Sequence, residues 1–313
     1  MATIATPYRL TDEELTRFHS AGYLVVERLF TEADLQPVID EISREIDARA
    51  RTLVASGELS RDYSEYGFEH RLAKICAETD QVAVAIWNGV LCGEAVFDLI
   101  RHARLVDIAE QLCGPEVIAS SVYRLRPKVP HHRKGPVPWH QDSGYFEPFC
   151  DKALVLTVWL PLVDATEANG CLWVQPGVHK GEVFRHRGGA SYLEIPPEDL
   201  PSVEPVCVPV RKGGILLLTN RTPHASFEND TDTVRWSMDL RYQSASLPTN
   251  APVTRLPDEA VPDQDAGVPI ACYPPEADFL VRSRARPTEV VTDPEVFARI
   301  RKSHQAQPVT RRW

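Results

Sequence analysis

Three side chains of the kinds that bind divalent metal ions stand in two short segments of the chain. His140 and Asp142 are two residues apart in VPWHQD, and His224 follows the apolar run GGILLLTN. If residues 137–142 form a strand, its two-residue period points His140 and Asp142 to the same face, where an imidazole and a carboxylate can bind one ion. An H-x-D pair alone is weak evidence, since ten histidines and 44 acidic residues produce such pairs by chance. With His224 the set becomes two imidazoles and one carboxylate, which suits non-haem Fe(II) with open coordination positions.

An arginine that follows His224 by eleven positions could serve the same site. The polar segment ENDTD between them is typical of a hairpin tip. If that hairpin is symmetric about Asn229 and Asp230, Arg235 lies directly opposite His224, with the two Cβ atoms about 5 Å apart. From there the guanidinium could hold the far carboxylate of a dicarboxylate cosubstrate, while the 2-oxo acid end of that molecule chelates the metal.

Three further residues are candidate walls of this cosubstrate site. Ser237 comes two positions after Arg235, hence on the same face of a strand, and offers a hydroxyl donor. In ALVLTVWL, strand alternation separates Thr157 and Trp159 from the leucines and the valine around them. Thr157 and Trp159 are therefore either part of the cosubstrate wall or ordinary core residues, and the sequence leaves both interpretations open.

The elements that would position these residues change in character near residue 115. Before it, Thr11 and Glu14 have the spacing of a capping box that begins a helix, YLVVERLF predicts a short strand, and apolar residues at helical spacing predict further helices. From 115 to 245, short runs of β-branched and aromatic residues alternate with Pro, Gly, Asn and Asp turns. This pattern is typical of an antiparallel sandwich or barrel.

We expect one catalytic domain, although 313 residues would also accommodate two. In this prediction residues 8–114 form a helical layer, residues 115–245 form the β core with the iron site, and residues 246–313 form an extended C-terminal arm. The arm is expected to be proline-rich and irregular as far as residue 275 and to include a weak helix at 293–303.

Composition and charge limit the class of protein further. With 43% hydrophobic and 25% charged residues the chain is globular, which excludes disorder or a coiled coil for the whole. A net charge of −10 opposes general affinity for nucleic acid or anionic membranes, so we expect neither as a partner. Seven scattered cysteines without a C-x-x-C pair indicate thiols in a reducing compartment, and no run of about 18 apolar residues occurs. We therefore expect a cytoplasmic protein with a small-molecule substrate.

Four motifs, in this order, resemble the phytanoyl-CoA dioxygenase family of Fe(II)/2-oxoglutarate-dependent oxygenases. They are LTDEELTRFHSAGYLVVERLFTEADL, WHQDSGYF, NGCLWVQPGVHKG, and TPHASFEN with its arginine eleven residues after the histidine. The resemblance covers about residues 8–245. It implies a mainly β fold with flanking helices, built on a double-stranded β-helix (jelly-roll, cupin-like) core. It also implies iron ligation by His140, Asp142 and His224, and 2-oxoglutarate binding by Arg235.

The activity implied by the resemblance is oxidation of an unactivated C–H bond in a small metabolite, with O2 as oxidant and succinate and CO2 released. Halogenating relatives replace the carboxylate ligand by a small residue, so the presence of Asp142 predicts hydroxylation or a related oxidation instead. A natural-product intermediate is the expected substrate. Two alternatives remain, a cupin-like metal-dependent isomerase or hydrolase and a catalytically silent ligand-binding relative. The oligomeric state is not predicted.

A basic cluster before the iron-binding strand could attract an anionic group of the substrate. It consists of Arg124, Arg126, Lys128, His131, His132, Arg133 and Lys134. The alternative is a solvated loop with Lys128 turned inward. Tyr145 and Phe146, after the metal-binding segment, and Arg71, in the helical region, are further candidates for lining the substrate pocket. Packing between the helices and the barrel would explain the two aromatic residues equally well.

Overall fold

A computed structural model describes residues 7–132, 135–146, 148–188, 192–247 and 277–305. The helices of these residues are α1 (Asp12–Ala21), α2 (Glu32–Ser56), α3 (Phe68–Cys76), α4 (Gln81–Trp87), α5 (Glu94–Ile100), α6 (Ala103–Cys113) and α7 (Pro294–Gln305). The strands are β1 (Tyr23–Val26), β2 (Val117–Ser120), β3 (Arg124–Lys128), β4 (Val137–His140), β5 (Val155–Pro161), β6 (Leu172–Val174), β7 (Arg187–Gly188), β8 (Leu193–Glu194), β9 (Val206–Val208), β10 (Ile215–Thr219), β11 (His224–Ser226), β12 (Arg235–Ser244) and β13 (Asp278–Arg282).

The opening of the chain is helix, strand, helix, as the sequence predicts. The Thr11 hydroxyl accepts from the Glu14 amide at 3.2 Å, and the Glu14 carboxylate accepts from the Thr11 amide at 2.8 Å, which begins α1. The helix ends at Gly22, whose φ of 84° is left-handed. A side chain is excluded there, because a Cβ on Gly22 would lie 2.3 Å from the ring of His179.

Two antiparallel sheets form the jelly-roll core. In the described part of the chain, the larger sheet has the order β1-β10-β5-β12-β2-β13, with β3 also paired to β12, and the smaller sheet has the order β4-β11-β6-β9. The predicted fold class, mainly β with flanking helices around a jelly roll, is confirmed. No helix among the described residues is long and apolar enough to cross a membrane.

The helices cover the outer face of the larger sheet. Leu156, Val158 and Leu160 of β5 join the same apolar core as Leu35 of α2 and Val96 of α5. Thr157 and Trp159 therefore point the other way, into the space between the sheets, as strand alternation predicts.

Two strands of the larger sheet come from outside the range predicted for the β core. Strand β1 belongs to the predicted helical layer and pairs with β10, while β13 belongs to the predicted C-terminal arm and pairs with β2. The weak helix expected at 293–303 is α7. The remainder of the predicted arm, residues 248–276 and 306–313, lies outside the described residues, and the division into one domain stays a prediction.

The predicted hairpin between His224 and Arg235 is wrong. His224 begins β11, which pairs with β4 and β6 in the smaller sheet, whereas Arg235 begins β12 and is paired with Lys128 of β3 in the larger sheet. The segment between the two residues crosses from one sheet to the other instead of turning back on itself. The two side chains can still meet, because the inner faces of the sheets oppose each other.

Candidate active site

Three predicted metal ligands converge between the sheets. His140 and His224 are partners across β4 and β11, with ring centroids 4.2 Å apart. The expected strand over residues 137–142 ends at His140. Asp142 is instead the first residue of the 3-10 helix that follows the strand. Its Oδ1 nevertheless lies 4.0 Å from His140 Nε2. One ligand atom from each of the three residues lies within 4.8 Å of the others, and all three side chains are buried.

The hydrogen bonds of the two histidines suit metal binding. His140 Nδ1 is 2.8 Å from the Pro138 carbonyl oxygen, and His224 Nδ1 is 3.0 Å from the Thr222 carbonyl oxygen. A carbonyl only accepts, so each Nδ1 carries the proton and each Nε2 keeps its lone pair for an ion. Burial, together with His224, lowers the pKa of His140 well below its usual value, which keeps this imidazole neutral. The donor set therefore fits a divalent ion such as Fe(II).

The carboxylate of Asp142 is held at both oxygens. Arg241 Nη2 donates to Oδ1 at 2.9 Å, and the Thr157 hydroxyl donates to Oδ2 at 2.5 Å. Burial by itself would raise the pKa of Asp142, but Arg241, the two histidines and Thr157 hold it well below its usual value. The ligand is thus ionised and fixed in orientation before any ion binds.

Long-range hydrogen bonds position the backbone between His140 and Asp142. The amide of the fully buried Gln141 donates to His186 Nε2 at 2.9 Å. The Gln141 side chain donates to the Arg221 carbonyl at 2.7 Å and accepts from the Phe184 amide at 2.8 Å. These bonds tie the metal-binding segment to two loops distant in sequence.

Arg235 reaches the same interior from the opposite sheet. One terminal nitrogen donates to the Ser237 hydroxyl, and the other lies 3.5 Å from the Ser226 hydroxyl. The guanidinium carbon is 5.2 Å from the centroid of the Trp159 ring. Of the residues predicted for 2-oxoglutarate, Arg235, Ser237 and Trp159 are thus brought together, whereas Thr157 contacts the metal carboxylate instead.

Arg235 forms no ion pair in the described part of the chain, and the carboxylate of Asp239, on the same strand, acts on its charge only from beyond ion-pair distance. Arg235 is only 2% exposed, its Nε has no hydrogen-bond partner, and no carboxylate among the described residues is within ion-pair distance. Lys128 lies beside it, donating to the carbonyls of Ser226 and Phe227. Burial, and then the charges of Arg235 and Arg126, lower the pKa of Lys128 to about 6. A buried cation without a counter-charge is costly, so this pocket fits an anionic ligand such as one end of a dicarboxylate.

The remaining residues predicted for the substrate are divided between this interior and the helical layer. The ring of Tyr145 meets that of His140 edge-on at 5.8 Å, and Phe146 is buried beside Cys150 and Val155. Arg71 lies elsewhere, because it forms an ion pair with Asp47 of α2 and donates to the Asp62 carbonyl at 3.0 and 3.1 Å. Residues 133 and 134 of the predicted basic cluster lie outside the described residues.

Strand alternation could have identified two functional candidates that the sequence reasoning missed. Ser226 is two residues after His224 in β11, and Arg241 is six residues after Arg235 in β12, so each shares the inward face of its strand with a predicted site residue. A third, Asp239, lies between them on that face of β12 and forms an ion pair with Arg126 of β3.

A jelly roll with a buried His–Asp–His cluster opposite an unpaired arginine defines the class of 2-oxoglutarate-dependent non-haem iron oxygenases. Within that class the chain belongs to the phytanoyl-CoA dioxygenase family, whose family model matches residues 18–237. Members of this family use Fe(II), 2-oxoglutarate and O2, and the donor set described above fits them.

Individual relatives agree with this assignment. The mouse phytanoyl-CoA dioxygenase domain-containing protein 1 is 27% identical over 272 residues, covering 76% of this chain and 91% of its own length. The epimerase SnoN, solved with Fe3+, α-ketoglutarate and a nogalamycin compound, has a TM-score of 0.53 at 21% identity and covers 87% of this chain and 98% of its own. EctD from S. alaskensis, solved with 2-oxoglutarate and 5-hydroxyectoine, has a TM-score of 0.50 at 20% identity over 80% of this chain and 82% of its own. The two solved structures share the fold.

Proposed function

We propose that this chain is a 2-oxoglutarate-dependent iron dioxygenase that hydroxylates, or otherwise oxidises, an unactivated C–H bond of a small metabolite and releases succinate and CO2. One observation carries the proposal. The buried cluster of His140, Asp142 and His224 shares an interior with Arg235, a buried guanidinium without a counter-charge. A metal and a dicarboxylate would satisfy both sets of groups at once.

The residues of the chain have separate tasks in this proposal. His140, Asp142 and His224 would hold the metal, and Arg235 with Ser226 and Ser237 would hold the far carboxylate of 2-oxoglutarate. When bound, Fe(II) with 2-oxoglutarate and O2 supplies the oxidising chemistry.

The protein's own contributions are orientation and exclusion of water. Thr157 and Arg241 keep the Asp142 carboxylate ionised and in place. An apolar layer on the inner strands packs around Trp159, and it includes Leu172, Val174, Leu216 and Leu218. Such a layer would help to keep water away from the reacting atoms.

Uncoupled turnover tests the proposed function without knowledge of the substrate. Purified without oxygen and given Fe(II) and 2-oxoglutarate, the protein should develop a weak visible charge-transfer band, and on admission of O2 it should slowly release succinate. Absence of both signals would contradict the proposal. A cupin-like isomerase or hydrolase whose metal works without 2-oxoglutarate would give neither.

Two substitutions assign the tasks to residues. Asp142→Ala should abolish metal binding, because it removes the only carboxylate of the cluster. Arg235→Ala should leave the metal bound but weaken 2-oxoglutarate binding roughly ten- to hundredfold, the effect of losing hydrogen bonds to a charged group. Asp230→Ala is the matched control, because Asp230 is an exposed acid in the segment that connects β11 and β12. It should change neither metal binding nor 2-oxoglutarate binding.

The type of reaction can be identified only from the mass of the product. A panel of metabolites, including natural-product intermediates, should contain compounds that accelerate succinate release. A product heavier than its substrate by one oxygen atom supports hydroxylation. An isomer of unchanged mass, or a product lighter by two hydrogen atoms, would replace hydroxylation by epimerisation or desaturation while leaving the class of enzyme intact.

A further inference from the structure

A third arginine of the interior that holds Arg235 and Arg241 has unused hydrogen-bond donors. Arg126 lies on the inward face of β3, since its neighbour Leu125 belongs to the apolar core under the helices. Its Nε donates to Asp239 Oδ2 at 2.5 Å. Neither of its terminal nitrogens has an acceptor among the described residues, and its side chain is 26% exposed. The terminal nitrogens are therefore available to a ligand that enters this interior.

The position of Arg126 is set by Asp239 and by one tyrosine ring. The guanidinium carbon is 5.6 Å from the centroid of the Tyr192 ring. Asp239 stands on the inner face of β12 between Arg235 and Arg241. Arg126 thus reaches the interior between the cosubstrate arginine and the arginine that holds the metal carboxylate.

The charges of this interior are not balanced by the expected cofactors. Arg241 offsets Asp142, and Arg126 offsets Asp239. The two charges of a bound divalent ion would offset the two carboxylates of 2-oxoglutarate. Lys128, with its pKa lowered to about 6, is mostly uncharged near neutral pH. Taken together, these groups and Arg235 retain one net positive charge, so an interior of low dielectric favours one further anion.

We propose that Arg126 holds an anionic group of the substrate, a carboxylate or a phosphate, beside the metal centre, with Asp239 orienting its guanidinium. The bond from Nε to Asp239 leaves the two terminal nitrogens for the two-point contact that arginine makes with planar and tetrahedral anions. Cosubstrate does not need this residue, since one end of 2-oxoglutarate is provided for by Arg235 and the other by the metal. The inference rests on the proposed function and adds to it the chemical class of the substrate.

Small anions can probe this site before the substrate is known. The protein is loaded with paramagnetic Co(II) and saturated with 2-oxoglutarate, and the NMR relaxation of added acetate or inorganic phosphate is followed. We expect saturable relaxation enhancement for at least one of these anions and none for acetamide, which has the shape of acetate without its charge. Acetate alone would indicate a carboxylate substrate, and phosphate alone a phosphate. Enhancement by neither anion would overturn the proposal.

Substitution of Arg126 shows whether this residue binds the added anion. Arg126→Gln should weaken binding of the anion about tenfold or more, because charge-assisted hydrogen bonds are lost. The matched control is Arg61→Gln, in the helical region. Like Arg126, Arg61 pairs with an acid, Glu65 at 3.1 Å, and lies over a tyrosine ring, that of Tyr63 at 4.7 Å. Unchanged anion binding in the Arg126 variant would overturn the proposal.

Asp239 separates an anion site from a purely structural ion pair. Asp239→Asn removes the charge that competes with the ligand, so anion binding should become tighter, whereas a structural pair predicts no gain. The double variant Arg126→Gln/Asp239→Asn leaves no unpaired charge behind, which guards against misfolding, and should still lose the anion.

Two signals of the wild-type protein, the Fe(II)/2-oxoglutarate charge-transfer band and succinate release, distinguish failure of this inference from failure of the proposed function. If wild-type protein forms no Fe(II)/2-oxoglutarate charge-transfer band and releases no succinate, the proposed function fails. If both signals are present but anion binding is absent or does not depend on Arg126, only the assignment of an anionic substrate fails.

Discussion

Arg235 and Arg241 face the same interior from one strand but have different surroundings. Arg241 bonds the carboxylate that would bind the metal, whereas the described contacts of Arg235 are with hydroxyl groups and an indole ring. Both are buried, so each charge requires compensation. For Arg241 the chain supplies it, and for Arg235 we expect a ligand to do so. In the proposed function this difference would let one strand serve both the metal and the cosubstrate.

We expect Arg241→Met to weaken binding of Fe(II) or Co(II) roughly ten- to hundredfold, the usual effect of removing a group that orients a metal ligand. The variant leaves the Asp142 carboxylate without its charged partner, so its orientation is less fixed. Competition with a coloured chelator measures the affinity. Arg241→Lys should restore part of it. Arg301→Met, at an equally buried arginine that donates to the Ser121 carbonyl, is the control for general destabilisation. Equal metal affinity in wild type and a folded Arg241→Met would contradict the assignment.

Lys128 predicts a pH dependence of stability in the absence of ligands. Its pKa is about 6 in the folded chain and 10.5 in the unfolded chain, so between these values the unfolded chain binds a proton that the folded chain lacks. The free energy of unfolding therefore gains a contribution that rises with pH over this window. Lys128→Met lacks that contribution, so the variant should be more stable than wild type below pH 6 and lose this advantage toward pH 10. Urea unfolding at several pH values measures the difference in unfolding free energy between the variant and wild type. If this difference does not depend on pH, burial does not shift the pKa of the Lys128 amine.

At the scale of elements, the inner strands combine an apolar and a polar face. In β12, Trp236, Met238, Leu240 and Tyr242 pack under the helices, and the residues between them line the site. The helical layer thus stabilises the strands that carry Arg235 and Arg241. Helix α7 extends this layer, because the buried Phe297 stacks on Phe97 at 5.1 Å and lies 6.2 Å from Tyr123.

We expect Phe297→Ala to lower the free energy of unfolding by about 3–5 kcal/mol, the usual cost of emptying a buried aromatic site. Uncoupled succinate release by the folded fraction should be nearly unchanged, because Phe297 is on the far side of the sheet from the metal cluster. Denaturant unfolding and a turnover assay measure the two effects. Arg299→Ala, an exposed position on the same helix, should stay within about 0.5 kcal/mol of wild type. A stability loss no larger than that of this control would show that α7 does not contribute to the core.

At the scale of the whole molecule, the site exists only where the two sheets face each other. The smaller sheet contributes His140 and His224, and the larger sheet contributes Thr157, Arg235 and Arg241. A ligand that contacts both inner faces should therefore stabilise the entire fold and not one segment.

Co(II) together with 2-oxoglutarate should raise the melting temperature beyond Co(II) alone. At a hundredfold excess over its Kd, a ligand that binds only the folded state adds about 2.7 kcal/mol of stability. Succinate, which lacks the 2-oxo group that chelates the metal, should produce a smaller shift. Differential scanning calorimetry without oxygen measures both. A shift with 2-oxoglutarate no larger than with succinate would argue against chelation of the metal.

Much of the fold is predictable because its signals are local. The capping box at Thr11 and Glu14, the helical spacing up to residue 114 and the alternation in β5 depend on neighbours a few residues away, and these predictions are confirmed. Strand β13 was missed because its five residues stand in a proline-rich context, and only its pairing with β2 identifies it.

Two histidines, a carboxylate and an arginine, with the spacing of a recognisable family pattern, can be read from the sequence. Which of these groups meet depends on the packing of the two sheets. Arg235 reaches the site from the opposite sheet and not from a hairpin partner, Thr157 bonds Asp142, and Arg71 lies in the helical layer. The physical reason is that side-chain periodicity is a property of each strand, whereas contact across the interior depends on how two sheets are stacked, and no local pattern records that.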